Sequence, residues 1–225
     1  MKLFDRSPGE NARNYAIRVL LYNIINLELA PGSAVSENEL SSTLNLSRTP
    51  VREALIELSK SSLVEILPQR GSYISKIDYE RIEEARFMRL VLENAVVKLA
   101  CKNPEPVDLK KLKDNISEQK FCLEQEDTAR FFPLDNEFHM LLFQSVNKAR
   151  TFEIIQSQMV HFDRIRTLSL KSSKPTKIVE DHENIIYAIE RRDTELAEIL
   201  MTRHINRHQM EKSELVAAFP DYFIQ

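Results

Sequence analysis

Glycine occurs only three times in the 225 residues, as Gly9, Gly32 and Gly71, and tryptophan not at all. So few glycines exclude a G-x-G-x-x-G turn or a P-loop, and with them a phosphate-cradling nucleotide enzyme. They favour helices joined by short connections. The only cysteines, Cys101 and Cys122, have neither C-x-x-C spacing nor a partner cluster, so they are expected to be reduced thiols. No apolar run approaches the roughly 18 residues needed to span a bilayer. The opening MKLFDRSPGENARNY lacks the apolar stretch of a secretory signal. The expected location is the cytoplasm, with no membrane partner. A strong excess of positive charge is missing too. Net charge is −3; residues 1–77 hold 9 Lys and Arg against 8 Asp and Glu, and the remainder hold 22 against 26. Neither part is basic in the way of a nucleic-acid module, so any DNA-binding charge must be local.

What is present is ordinary for a globular protein: 43% hydrophobic and 29% charged residues, in a length suited to one large or two small domains. Ala16, Val19, Leu20, Ile24, Ile25 and Leu27 recur at mainly helical spacing over residues 10–29, and Pro31-Gly32 breaks that helix. Ser36 with Glu39 three residues later has the capping-box pattern, opening a short helix with Leu40 and Leu44. The NLS stretch forms a tight turn, and Ser47 can cap a third helix. Pro50 falls in its first turn, where a missing N–H costs little, and Ala54, Leu55 and Leu58 form its buried face. Two runs rich in β-formers, Leu63–Leu67 and Ser72–Ile77, flank Pro-Gln-Arg-Gly and predict a β-hairpin. Three helices and a hairpin in this order describe a winged helix-turn-helix over residues 1–77. From Asp78 the pattern is helical throughout. Helices are expected at about 78–102, 106–126, 128–146, 150–170, 175–191 and 193–214, giving an all-α second domain over 78–225. The fold class is thus mostly α.

The third helix carries Arg48 and Arg52 one turn apart. Like charges at this spacing repel, and no acid lies within helical reach of Arg52. In a helix-turn-helix this end of the second helix meets base edges. Arginine can bond guanine O6 and N7 in a bidentate pair. Ser47, Thr49 and the helix N-terminus can hold a phosphate. Arg70 and Gly71 at the hairpin tip suit a wing that approaches the DNA backbone or minor groove. The alternative, two arginines that merely solvate a surface helix, is outweighed by the surrounding turn, capped helix and Arg-Gly wing. The stretch LAPGSAVSENELSSTLNLSRTPVREALIELSKSSLVEILPQRGSYIS resembles the DNA-binding domain of the GntR family of bacterial transcription regulators, most closely in S-R-T-P-V-R-E-A-L and the wing R-G. The resemblance implies DNA contacts at Arg48, Thr49, Arg52 and Gly71. A further family contact, often an arginine, falls at Asn38, which can meet adenine or phosphate but brings no charge.

In the second domain, Asp135 and His139 are i,i+4 on one helix and can chelate one metal from one face. His182 opens the apolar face of EDHENIIYAI, and His204 lies on the last helix. Three imidazoles and a carboxylate with open positions suit Zn²⁺, Ni²⁺ or a similar divalent ion. On spacing alone His204/His208 is an equally good pair, and scattered core and surface histidines explain the pattern as well. Residues 78–215 resemble the FCD ligand-binding domain of the FadR-type branch of the same family. That resemblance implies metal ligands at Asp135, His139, His182 and His204, and an arginine at Arg89, in ARFMRLVLENAVVKLA, for a small carboxylate effector. Arg89 can equally form a surface ion pair with Glu93 at i,i+4. His161 and Arg164 are further candidates for lining the pocket, and His208 is read as a surface residue.

These readings converge on a sequence-specific DNA-binding regulator of transcription, not an enzyme. It would act as a homodimeric repressor on a pseudo-palindromic double-stranded operator, with a small organic acid as effector at the metal-containing domain. A metal-responsive sensor and a metal-dependent enzyme are the alternatives. Against the enzyme stands the lack of an obvious general base beyond Glu137 and Glu183.

Overall fold

The computed structural model describes residues 1–102, 105–156, 158–172 and 175–224. They divide into two units. The first comprises Met1–Tyr79 together with Asp163–Thr167 and Val216–Gln225; the second comprises Glu80–Phe162 and Leu168–Leu215.

The first unit begins with helix α1 (Ala12–Ile25), capped by the Asn11 side chain, which accepts from Asn14 N. Its inward stripe is Ala16, Val19, Leu20 and Ile24, all buried. The helix stops at Asn26, ahead of the Pro31-Gly32 breaker. Leu27 turns left-handed (φ 60°) and Glu28 N donates to the Asn23 carbonyl, a closure usually made by glycine. Strand β1 (Ala34–Val35) leads to α2 (Glu37–Leu44) and α3 (Arg48–Lys60). Asn45, at φ 53°, makes the tight turn between these helices, a conformation asparagine tolerates well. Val51, Ala54, Leu55 and Leu58 bury the inner face of α3, which packs on both α1 and α2. Ser36 and Ser47 take the two N-cap positions, yet neither hydroxyl makes a capping hydrogen bond. The expected capping box at Ser36 is therefore a cap in position only.

Strands β2 (Val64–Leu67) and β3 (Gly71–Ile74) pair antiparallel, with Val64 opposite Ile74 and Leu67 opposite Gly71. β1 adds to the other edge of β3, giving the order β1-β3-β2. Two residues are too short to show alternation, which is why this strand has no sequence signature. The chain's far end joins the same unit. Ile77 N donates to the Tyr222 carbonyl at 2.7 Å, Ile224 N donates to the Ile77 carbonyl at 3.0 Å, and Tyr79 stacks on Phe223.

The second unit is helical. Its elements are α4 (Tyr79–Lys102), α5 (Pro106–Glu124), α6 (Thr128–Ser145), α7 (Ala149–Gln156), α8 (Val160–Ser172), α9 (Thr176–Glu190), α10 (Thr194–Ile205) and α11 (Arg207–Ala218), of which α4, α8 and α11 contribute residues to both units. α5 packs on α6 and α9, and α9 on α10. Phe131, Phe138, Leu142, Phe143, Ile185, Ile189 and Met201 form the core. The expected helices at 150–170 and 193–214 are each two. The second break falls at Asn206, whose side chain accepts from Arg86 Nη1 at 2.7 Å. Asparagine is a weak helix former, and here its side chain is taken up by a residue 120 positions away.

Candidate nucleic-acid interface and metal centre

On the first unit, Ser47, Arg48, Thr49 and Arg52 are exposed along the start of α3, and Asn38 is exposed in the first turn of α2. Arg52 is not without an acid. Its Nε donates to Glu37 Oε1 at 3.0 Å and its Nη2 to Oε2 at 2.9 Å. The expectation of an unrelieved arginine pair holds along α3 only; the acid comes from α2. That ion pair raises the pKa of Arg52 further. At the wing tip Arg70 and Gly71 are exposed. The Tyr73 hydroxyl donates to the Arg70 carbonyl at 3.2 Å. Gln69 (φ 62°) and Gly71 (φ 98°) turn the chain, and no atom lies within 4 Å of where a Gly71 Cβ would sit. The tip is open to a close approach.

In the second unit, Asp135 and His139 on α6, His182 on α9 and His204 on α10 come together, all buried, with one donor atom from each lying within 4.8 Å of the others. His139 Nε2 and His204 Nε2 are 3.2 Å apart, and His182 Nε2 is 3.5 Å from Asp135 Oδ1. Ligands on one ion at bond lengths near 2.1 Å are roughly 3.4 Å apart in a tetrahedral shell, so these two pairs already match the spacing around a divalent ion, and the other pairs lie within 4.8 Å.

The outer nitrogens explain why the inner ones converge. His139 Nδ1 donates to Glu93 Oε2 at 2.5 Å. His182 Nδ1 donates to Gln119 Oε1 at 2.9 Å. The Gln119 amide is oriented in turn by donating through Nε2 to Asn115 Oδ1 at 2.7 Å. These bonds hold the proton on Nδ1 and leave Nε2 as the inward lone pair. His204 Nδ1 stands 3.6 Å from Asp181 Oδ2, and Asp181 is also held by Arg203 and Arg207. At 3.2 Å, His204 Nε2 either donates its own proton to His139 Nε2 or joins it in presenting a lone pair to a cation. Burial pushes the His204 imidazole down to about 4 and lowers that of His139, so both rings are neutral near pH 7 and able to ligate. Burial would raise the Glu93 carboxyl, but Arg89 and His139 outweigh it and hold it below the ordinary range.

Arg89 does form the ion pair with Glu93, Nε to Oε1 at 2.5 Å, but not at the surface: the two side chains are 7% and 1% exposed. Glu93 thus spans Arg89 and His139. His161 and Arg164, both on α8, are buried, Arg164 in the first unit. The side chain of His208 lies outside the described residues.

Residues 16–74 match the family described as bacterial regulatory proteins, gntR family, and residues 84–207 match the FCD domain. An HTH-type transcriptional repressor of Escherichia coli, RspR, is 31% identical over 218 residues, covering 96% of each chain. The chain belongs to the GntR family, with an FCD domain. A further GntR-type relative, an uncharacterized HTH-type transcriptional regulator of Streptomyces ambofaciens, is 33% identical and covers 97% of this chain and 92% of its own. Among solved structures, E. coli McbR/YncC superposes with a TM-score of 0.74 at 20% identity, covering 93% of this chain and 99% of that one. A GntR regulator of a Rhodococcus species gives 0.70 at 22%, covering 92% and 98%. The GntR and FCD matches identify a DNA-binding transcription regulator with an effector-type domain, not an enzyme.

Within this GntR chain, the sequence points to the four inner donors and to Glu93 as the partner of Arg89, but not to Glu37, Gln119, Asp181 or the contact of Glu93 with His139. Asp181 faces His204 of α10 and not its neighbour His182, so its place in the sequence does not report that contact. Glu93 and Gln119 meet their histidines from 46 and 63 residues away, and no local pattern reports such contacts.

Proposed function

We propose that the chain is a cytoplasmic repressor acting as a homodimer. Asn38, Ser47, Arg48, Thr49, Arg52, Arg70 and Gly71 contact a pseudo-palindromic operator. Asp135, His139, His182 and His204 hold a divalent ion, Zn²⁺ or Ni²⁺. A small organic acid binds in the FCD domain, with Arg89, His161 and Arg164 as its candidate contacts, and shifts the balance between DNA-binding and released states. A bound ion would supply fixed positive charge and open coordination positions for a carboxylate. The observation that carries this reading is the convergence of four buried donor atoms within 4.8 Å, backed by outer partners at Glu93 and Gln119. Dimerisation is supported by an apolar strip on α4, where Phe87, Val91 and Leu99 are 60%, 52% and 40% exposed. The test is elemental analysis of protein purified without chelator, before and after His139→Ala. About one ion per chain that disappears in the variant supports the site; equal content in both proteins refutes it.

A second reading, a sensor for which the ion itself is the signal, draws on one observation. The Arg89 charge is already satisfied by Glu93. Graded metal that alone controls DNA affinity would favour this sensor.

A further inference from the structure

The two buried arginines are served very differently. Arg89 has Glu93 at 2.5 Å. Arg164 is fully buried, and its one hydrogen bond runs from Nη2 to the Ser75 carbonyl at 2.5 Å. Its Nε and Nη1 are buried with no hydrogen-bond partner. Among the described residues no carboxylate pairs with it; the adjacent Asp163 goes instead to Arg166 at 2.9 Å. Two hydroxyls beside it are in the same state, Thr167 Oγ1 one turn along α8 and Oγ of Ser75 itself. A buried guanidinium left without counter-charge is costly, because burial removes its hydration and nothing replaces it. Burial lowers its pKa only to about 10, so it keeps its charge at neutral pH. Arg164, Ser75 and Thr167 all belong to the first unit, and Ser75 directly follows wing strand β3.

We infer that Arg164 is the seat of a small oxyanion, a carboxylate or phosphate group, with the hydroxyls of Thr167 and Ser75 completing its hydrogen bonds. The guanidinium is a planar fork whose remaining donors match such a group. This rests on the reading that the chain answers a small anion, and it moves the contact from Arg89 to Arg164. It also places that anion against the backbone at the end of the wing, within the first unit.

The test uses the full-length protein with two probes, succinate and inorganic phosphate, each against chloride at equal ionic strength. Thermal unfolding and titration calorimetry are the readouts. Wild type is expected to show a saturable rise in Tm with one probe, and which probe does so identifies the source of the oxyanion. Arg164→Met should weaken that binding by about 10- to 100-fold, and Thr167→Val should weaken it less while unfolding at the wild-type temperature. If Arg164→Met does not fold, Ser75→Ala/Thr167→Val must show the weakened binding in its place. No saturable response to either probe in wild type overturns the inference, as does an undiminished response in the folded variants. Metal uptake and operator binding by wild type test the broader reading separately, so the two failures are distinguishable.

Discussion

Arg52 of α3 is forked onto Glu37 of α2, Nε to Oε1 at 3.0 Å and Nη2 to Oε2 at 2.9 Å. The repulsion between Arg48 and Arg52 is therefore offset within the protein, by an acid brought in by the turn rather than by the helix. An arginine that reads guanine must share or leave this carboxylate, and Glu37 itself repels phosphate. Glu37→Gln is expected to tighten binding to random-sequence duplex by roughly several-fold at low salt, with a steeper salt dependence. Fluorescence anisotropy measures this. Weaker binding would show instead that Glu37 aligns Arg52 for the groove.

Glu93 fixes His139 from outside the cluster, so its loss should be felt in the affinity of the cluster for a metal. Glu93→Gln is expected to lower Co²⁺ affinity by about 10- to 100-fold, the usual effect of removing an outer partner of a ligating imidazole. The absorption of the bound Co²⁺ should shift as well. A folded variant with unchanged affinity and spectrum would show that Glu93 serves only the Arg89 pair.

The same burial makes the chelator-treated protein sensitive to acid. His204 takes up its proton near 4 in the folded chain, against an ordinary value of 6.5, and His139 is lowered in the same direction. Between those values the unfolded chain binds more protons, so stability falls as pH drops from about 6.5 toward about 4. Asp181, held down to about 2 from 3.8 by His204 and Arg207 against the effect of burial, extends the loss below pH 3.8. Thermal unfolding across this range should show Tm rising with pH and levelling off near neutrality. A flat profile from pH 4 to 7 contradicts the buried, neutral imidazoles.

How much of this was legible in the sequence depends on how local each determinant is. Pro50, Leu55 and Leu58 declare the reading helix within a few residues, and Arg70-Gly71 declares the wing, because caps, periodicity and turn chemistry act over short spans. Asp135 and His139 pair on one helix face and are equally readable. Whether His182 and His204 join them depends on how α6, α9 and α10 pack, which spacing does not encode; there the family resemblance carried the expectation. The Arg52–Glu37 pair, Glu93 behind His139 and the docking of Phe223 beside Ile77 are tertiary facts. Ser36 and Ser47 show the converse: a motif was present, its positions were right, and its hydrogen bonds were not formed.

Gly71 tests the wing independently of charge. Its φ of 98° is one that L residues rarely adopt, although the space around it is open. Gly71→Ala should therefore destabilise the first unit by about 1–3 kcal/mol through backbone strain alone. Urea denaturation checks this, and an unchanged midpoint would mean that the tip relaxes freely.

Reading of a specific duplex is proposed for the exposed Arg48 and Arg52 on α3. The most direct measurement is selection from a random duplex library, followed by anisotropy titration of the enriched sequence with wild type and Arg52→Ala. One enriched motif with two related half-sites is expected, with a loss of roughly tenfold or more in the variant. No enriched motif, or equal binding by a folded Arg52→Ala, would contradict it.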